Sequence, residues 1–490
     1  MTGALAVAAT ACGAPTDRVP ASTLAELPWS VVVERARGST VSWRMWRGDP
    51  SINAYVDDWV APRLKEQFDI TLTVVEGQGA EIVNQLVLER EAHGHGSADL
   101  VWINGETFGN LRKELLLDGP WAGALPMGRY VDSSSAIISR DFEQDPSGFE
   151  SPWGTVQFAL IYDSARTPHP PTSVAELGDW ILANPGRFTH DQQFTGMAFL
   201  KVLLYALGGG IDQFRGGFDS VAYAQGSGKV FAWLDQHRDA FWRHGATYPA
   251  GVADLHRLFA NREVDFSMSN NQNEVVTKVR QGILPATSRP LLLTTGTIAN
   301  AHYLGIPYNA PNAAGAMVVA DFLLSPEAQL QKQRPDVWGD GTVLALDRLP
   351  AEWVAQFSTL AADPHALSAD SLAKYARPEV SPAITSAFRP IGEPGCGSRH
   401  RDVRHASRTD GRARRRLAGV VRIGIQPRRQ SRLGRAWRRR VPDGTAGARA
   451  RRTGGLGWAG LVTLGCRRRH DPRNDRRCDS GCTISHGHTS

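Results

Sequence analysis

The sequence predicts an α/β protein of two lobes, and three observations lead to this fold class. Short apolar runs of strand length alternate with amphipathic stretches of helical period, which is typical of βαβ units and a parallel sheet. The alternation begins afresh after residue 153, which indicates a second lobe. At 490 residues the chain is also too long for one ordinary core.

The first lobe is predicted from this alternating pattern. Strands are expected at residues 40–46 and 70–75, and an amphipathic helix is expected at 81–91. Ser51 is the expected N-cap of a further helix, which Pro62 is expected to kink or end.

A polar turn follows the strand that the pattern predicts most clearly, at residues 100–103. Asn104, Gly105 and Glu106 come directly after this apolar run, and a helix is expected at 108–116. Ligands of open α/β sheets bind just outside the carboxyl ends of strands, so these residues are candidates for the rim of a binding site. Trp46, at the end of the first strand, is a candidate for the same reason. An ordinary strand followed by an Asn-Gly turn remains the alternative.

The second lobe is expected to begin with a loop at 151–157 that leads into a strand at 158–163. Trp153, in that loop, either stacks on a ligand or plugs the crossing between lobes. Thr195 is the expected N-cap of a helix at 197–207. The free N–H groups there could hold an anionic ligand group at Thr195 and Gly196, or Thr195 could serve only as the cap.

The last part of the body repeats the arrangement of a strand followed by amides. A strand at 264–268 is expected to deliver Asn270 and Asn271 to the rim, and residues 295–307, with Asn300, are expected to cross back to the first lobe. Helices with Asn312 and Ser325 as caps should follow.

Charge divides the chain into two unlike parts. Residues 391–490 hold 25 Arg, no Lys and 7 acidic residues, a net charge of +18. Residues 1–390 hold 30 basic and 42 acidic residues, a net charge of −12. The basic tail is expected to be disordered and to be an out-of-frame translation, so the overall pI does not predict a nucleic-acid partner for the body.

Cysteine is confined to the ends of the sequence. Cys12 follows a short apolar run of small residues, and no cysteine occurs in 13–390. The run resembles a truncated bacterial lipoprotein signal with Cys12 as the lipidated residue, although Ala9 stands where Leu is usual and no basic segment precedes it. This pattern predicts a lipid-anchored protein of the periplasm or the outer face of the cytoplasmic membrane.

Several motifs that could indicate phosphate or metal binding lack the residue spacing that such sites require. The glycine and lysine spacing at 226–229 does not fit a phosphate-binding loop, and His93 and His95 lack a third ligand nearby. The Cys478 and Cys482 spacing with the following histidines is irregular for zinc. No cofactor and no metal are expected.

The motifs from Asp321 to Gln329, with Gly305, Pro307 and Asn309 before them, resemble the C-terminal part of the extracellular solute-binding proteins of ABC importers. The stretches 184–187, 194–196 and 102–106 narrow the resemblance to the branch named for thiamine transport. It covers roughly residues 35–385 and implies the two-lobe type II periplasmic-binding-protein architecture, with hinge crossings and a ligand cleft.

The resemblance also implies a domain plan and a set of partners. The first lobe takes 39–153 and 290–340, and the second takes 154–289 and 341–388, after a signal at 1–12 and a linker at 13–38. The partners are a small solute, thiamine-like or another cationic ring compound, and a membrane permease; a monomer is expected. The expected ligand-binding residues are Trp46, Asn104, Gly105, Glu106, Trp153, Thr195, Gly196, Asn270, Asn271 and Asn300.

Two other functions are weighed against this one. An enzyme on the same fold would resemble the thiamine-degrading enzymes, but these use a cysteine nucleophile that the body lacks. A nucleic-acid-binding protein would have to rely on the arginine-rich tail. No catalytic residues are therefore expected.

Overall fold

The computed structural model describes residues 18–361 and 363–388, and Cys12 and the basic tail lie outside them. The strands are β1 Thr40–Met45, β2 Thr71–Glu76, β3 Leu100–Ile103, β4 Glu150–Gln157, β5 Ala159–Asp163, β6 Phe266–Ser269, β7 Ser288–Leu291, β8 Thr297–Gly305 and β9 Ala376–Arg377. The helices of the N-terminal half are α1 Ala21–Leu24, α2 Trp29–Ala36, α3 Pro50–Ala54, α4 Ala61–Phe68, α5 Ala80–Glu91, α6 Gly105–Lys113, α7 Ala136–Ser139, α8 Val174–Ala183 and α9 Phe194–Gly208. The later helices are α10 Ser220–His237, α11 Val252–Ala260, α12 Glu274–Arg280, α13 Ala313–Leu323, α14 Pro326–Gln333, α15 Ala351–Ser358, α16 Ala369–Tyr375 and α17 Pro382–Phe388.

Two sheets form the centres of two lobes, which confirms the predicted fold class. The first lobe is built on a six-stranded sheet of order β2-β1-β3-β8-β4, with β9 paired to β8. The second lobe is built on a three-stranded sheet of order β6-β5-β7. Separate clusters of buried apolar side chains pack against the sheets.

The prediction of a parallel sheet is correct only for part of the first lobe. Strands β1, β2 and β3 pair in parallel, but β8 runs antiparallel to both β3 and β4. The second sheet is antiparallel throughout. The chain leaves for the second lobe after β4 and returns through β8, so β8 enters the first sheet from the opposite end.

Side-chain caps begin several helices, and the structure corrects the predictions made for Ser51 and Pro62. Ser325 caps α14 as expected and Ser173 caps α8, each accepting a hydrogen bond from the third residue beyond it. The cap of α3 is Asp49 and not Ser51. Pro62 does not end the helical segment, because it lies in the first turn of α4, where no helical N–H is needed, and a π-helical turn at Tyr55–Val60 joins α3 to α4.

The segment after residue 341 contributes side chains to both cores. Val343, Leu344 and Phe357 pack in the first lobe's core, whereas Ile384 and Phe388 pack in the second lobe's core. The resemblance implied that all of 341–388 belongs to the second lobe, and the domain plan stays a prediction. Helical period shows that a segment buries one face but does not show which core that face meets.

Candidate functional site

Asn104, Gly105 and Glu106 lie where β3 meets α6, at the end of a strand as predicted. The turn is helical, so α6 starts at Gly105 and not at residue 108. The Gly105 N–H donates to Asp141, and a Cβ at this position would lie 2.2 Å from the Phe142 ring. Gly105 has φ of +36°, so both its backbone and its surroundings require glycine.

Trp153 lies in strand β4, in the core of the first lobe, where its side chain is 0% exposed. Its ring centroid lies 5.2 Å from that of Trp43, 4.9 Å from that of Trp102 and 5.4 Å from that of Trp338. Of the two interpretations, the structure favours the hydrophobic plug. Trp46, by contrast, is only partly buried at the end of β1.

The predicted residues of the second lobe form a connected polar group. The Asn270 amide donates to the Thr195 hydroxyl at 3.1 Å, and the Asn271 N–H donates to Ser269. Thr195 is not the cap that the sequence predicted, because it lies inside α9. Asp191 takes this role instead and accepts from the Gly196 N–H at 3.1 Å.

Asn300 lies on β8, where the chain crosses between the lobes. Its side chain is 5% exposed, and its Oδ1 atom has no hydrogen-bond partner in the described part of the protein. It lines a small recess, with room for about one water molecule, together with Arg140, Glu143, Arg215 and Glu379.

Several contacts join the two lobes, and two groups of them, called seams here, involve charged residues. The Lys278 seam joins Asp49 and Ser51 of the first lobe to Lys278 and Gln281 of the second. Lys278 Nζ lies 2.6 Å from Asp49 Oδ2, and the Gln281 amide donates to the Ser51 hydroxyl at 3.0 Å.

The Lys201 seam joins the segment Asp141, Phe142 and Glu143 of the first lobe to Lys201, Arg215 and Glu379 of the second. Lys201 Nζ lies 5.1 Å from the centroid of the Phe142 ring. Glu143 lies 3.5 Å from Arg215.

Sequence reasoning missed the charged residues of the Lys201 seam. Asp141 and Glu150 lie in segments without clear periodicity, so no pattern indicated that they are buried. Lys201 did leave a signal, since it is the only charged residue in the apolar helix α9. A single lysine on an otherwise apolar helix predicts a buried partner of opposite charge.

The environment of each seam moves the pKa of its carboxyl groups in a different direction. Burial raises the pKa of Asp141 to about 8, against the hydrogen bond from Gly105 and with the help of nearby Glu379. Glu274 lies beside Lys278 of the Lys278 seam, and burial acts to raise its pKa. The charges of His256 and Lys278 and the hydrogen bonds that Glu274 accepts outweigh burial and lower this pKa to about 2.

Neither a metal-binding cluster nor a membrane-spanning helix occurs among the described residues. They contain no group of three or more His, Cys, Asp or Glu side chains arranged to hold a metal ion. In the same residues, no helix combines the length and the apolar character that crossing a membrane requires.

Comparisons with known proteins agree on one family. The sequence profile described as bacterial extracellular solute-binding protein matches residues 59–345. The protein YnjB of Escherichia coli K12 is 37% identical over 327 residues, which is 66% of this chain and 84% of YnjB.

Solved structures show the same fold at low sequence identity. A candidate spermidine/putrescine ABC transporter from Listeria monocytogenes is 14% identical with a TM-score of 0.51, over 72% of this chain and 97% of that one. The periplasmic binding protein AfuA of Actinobacillus pleuropneumoniae, solved with fructose-6-phosphate, is 12% identical with a TM-score of 0.50, over 72% of this chain and 95% of AfuA.

Proposed function

We propose that this chain, which belongs to the bacterial extracellular solute-binding protein family, holds a small cationic solute between its two lobes. Members of this family are the receptors of ABC importers and are not enzymes; they lie in the periplasm or cell envelope and pass a small solute to a membrane permease. The fold does not select the solute, because one similar structure is that of a spermidine/putrescine transporter and the other holds fructose-6-phosphate.

The proposal that the solute is positively charged rests on the position of Glu106. Its carboxylate lies in the first turn of α6, directly after β3, and accepts a hydrogen bond from Ser386 of the second lobe at 3.1 Å. A carboxylate at the boundary between lobes favours a positively charged ligand group, and Trp46, which follows β1, is proposed to supply an aromatic surface. A thiamine-like ring compound meets both requirements.

The ligand site is proposed to lie between the two seams. The proposed ligand-contacting residues fall on strand ends and helix starts of both lobes, while the plug Trp153 is removed from the set. These residues are Trp46, Asn104, Gly105, Glu106, Thr195, Gly196, Asn270, Asn271 and Asn300. A solute held by both lobes stabilises the closed form only by the contacts that the open form lacks, which is how binding would drive hinge closure.

Binding measurements on charge-neutral variants test this proposal. A thermal-shift screen of cationic, neutral and anionic solutes identifies a ligand, because binding to the folded state alone raises the melting temperature. Isothermal titration of Glu106→Gln with that ligand should then show a loss of affinity of about tenfold to a hundredfold. Glu114→Gln, near the other end of α6, is the matched control and should bind as wild type does.

The ring contact has its own test. Trp46→Ala should weaken binding by about tenfold, while Trp46→Phe should retain most of the affinity because it keeps an aromatic face. A screen in which only anions raise the melting temperature would refute the cationic solute and leave the family assignment intact.

Attachment to the membrane is proposed through Cys12. Acyl chains on this residue would supply about 0.8 kcal/mol of membrane affinity per buried methylene. Mass spectrometry of the protein expressed with its native leader should detect a lipid-modified N-terminal cysteine, and Cys12→Ser should release the protein from the membrane fraction.

A further inference from the structure

The Lys201 seam contains an ion pair that is shielded from water on all sides. Lys201 Nζ lies 2.7 Å from Glu379 Oε2, and the two side chains are 0% and 2% exposed. The Phe142 ring of the first lobe covers the ammonium group at 5.1 Å, and the Phe194 ring of the second lobe lies 5.7 Å from it. The pair is therefore buried by residues from both lobes.

Two further carboxyl groups lie in the same region without a cation of their own. Asp141 is 1% exposed, and its Oδ1 atom has no hydrogen-bond partner in the described chain. Glu150 is 2% exposed, and both of its oxygens lack partners there. Of the three buried carboxyl groups, only that of Glu379 forms an ion pair with the buried ammonium group in the described residues. An isolated buried carboxylate is so costly that the group takes up a proton instead.

At the Lys201 seam, Phe142 and Glu143 of the first lobe meet Lys201 and Arg215 of the second. Opening the seam would separate Phe142 from Lys201 and Glu143 from Arg215 and would let water reach Asp141 and Glu379. A hydrated carboxyl group has its ordinary affinity for protons, so the open and closed arrangements differ in the protons that they bind.

We propose that closing of the Lys201 seam is coupled to the uptake of one proton by the Asp141–Glu150 pair. The proton comes from solvent and adds to a carboxylate oxygen, converting one carboxylate of the pair to a carboxylic acid. The proposal does not depend on which solute binds.

The neighbouring charges support this direction. Burial, assisted by the charge of Glu379, raises the pKa of Asp141 to about 8, although the Gly105 N–H opposes the shift. Burial, assisted by Asp141, also raises the pKa of Glu150. Titratable and charged groups from several elements surround the pair. They are Arg112 on α6, Arg140 and Glu143 next to Asp141 in the chain, Lys201 on α9, Arg215, Tyr303 on β8 and Glu379.

The sign of the pH effect follows from this shift. A carboxyl group with a raised pKa in the closed form favours closure below its ordinary pKa. That advantage is lost steadily as the pH rises and is gone above about 8. For one proton, the closure equilibrium constant should fall by up to about tenfold per pH unit across this range.

Small-angle X-ray scattering of the full chain without solute, from about pH 5 to about pH 9, measures the closed fraction. We expect the radius of gyration to increase with pH in the wild type and to change little in Asp141→Asn. In Glu150→Gln the increase should persist with a shifted midpoint, because Asp141 is still buried beside Glu379. Asp145→Asn, an exposed acid in the same segment, is the matched control and should behave as wild type does.

A wild-type radius that is constant with pH, or an unchanged pH dependence in both variants, would overturn the proposal. Glu150→Gln breaks no hydrogen bond within the described residues, so it keeps the test valid if Asp141→Asn does not fold. Infrared spectroscopy adds a direct readout: at neutral pH the wild type should show the carbonyl band of a protonated carboxyl group that Glu150→Gln lacks or shifts. Absence of that band in the wild type would also overturn the proposal.

Discussion

Two buried polar clusters lie beside the crossing strand β8, and they differ in how their charges are balanced. In the first lobe, Asp340 is flanked by His302 at 3.1 Å and by Lys332 at 2.5 Å, and Lys332 also donates to the Gly341 carbonyl at 2.6 Å. In the cluster at the Lys201 seam, Asp141 and Glu150 have no such cationic partner.

The difference indicates that the His302 cluster has a structural role and the Asp141 cluster a conformational one. The His302 cluster lies beneath the rings of Trp102, Trp153 and Trp338 and belongs to one lobe, so its charges stay paired whatever the lobes do. The Asp141 cluster lies where the two lobes meet. Unbalanced charge persists in a protein mainly where it serves something besides stability.

Removing the cation of the balanced cluster should have the largest effect. Lys332→Met leaves Asp340 buried without its ammonium partner, so the free energy of unfolding should fall by about 3–5 kcal/mol. Urea denaturation measures this loss. Lys65→Met, which breaks an exposed pair with Asp69, is the control and should leave the free energy of unfolding near the wild-type value.

Crowding the same cluster should have the next largest effect. A Cβ at residue 154 would lie 1.9 Å from His302 Nε2 and 2.1 Å from Asp340 Oδ2, so Gly154→Ala should lower the unfolding free energy by about 3 kcal/mol. Gly228→Ala, in the exposed middle of α10 with nothing within 4 Å, should instead be stabilising by about 1 kcal/mol. Equal effects of the two changes would show that the His302 cluster is not tightly packed.

Relieving the unbalanced cluster should stabilise the protein. Burial raises the pKa of Glu150, so the native state loses stability as the pH rises above the ordinary range of a glutamate. Glu150→Gln removes this cost and should raise the unfolding free energy by about 2 kcal/mol near pH 8, with little change near pH 5. Denaturation curves at both pH values give the comparison. An equal gain at the two pH values would contradict an ionisable origin.

The contact between Ser386 and Glu106 should have the smallest effect. Ser386→Ala removes one partly exposed hydrogen bond between the lobes and should cost the closed form about 0.5–1 kcal/mol. The closed fraction from scattering should fall accordingly, while the unfolding free energy of each lobe stays near the wild-type value.

Sequence patterns predicted the parts of the fold that depend on local chemistry. Residues 100–103 form β3 with the predicted bounds, because an unbroken apolar run suits a strand that is buried on both faces. The Ser173 and Ser325 caps were also predictable, since each depends on residues within one helical turn.

Long-range packing was not predictable in the same way. Trp153 and Lys201 owe their positions to partners from distant parts of the sequence, such as Trp338 and Glu379. Antiparallel pairing of β8 likewise depends on the path of the chain through the second lobe. A single sequence does not identify these partners, so the choice of the plug for Trp153, the seams and the direction of β8 required the structure.

Hydrogen exchange measured with and without a solute from the thermal-shift screen tests the central claim most directly. A solute held between the lobes should slow exchange in two places at once, at residues 104–106 after β3 and at residues 270–271 after β6. Protection confined to one lobe, or located away from both segments, would contradict the account.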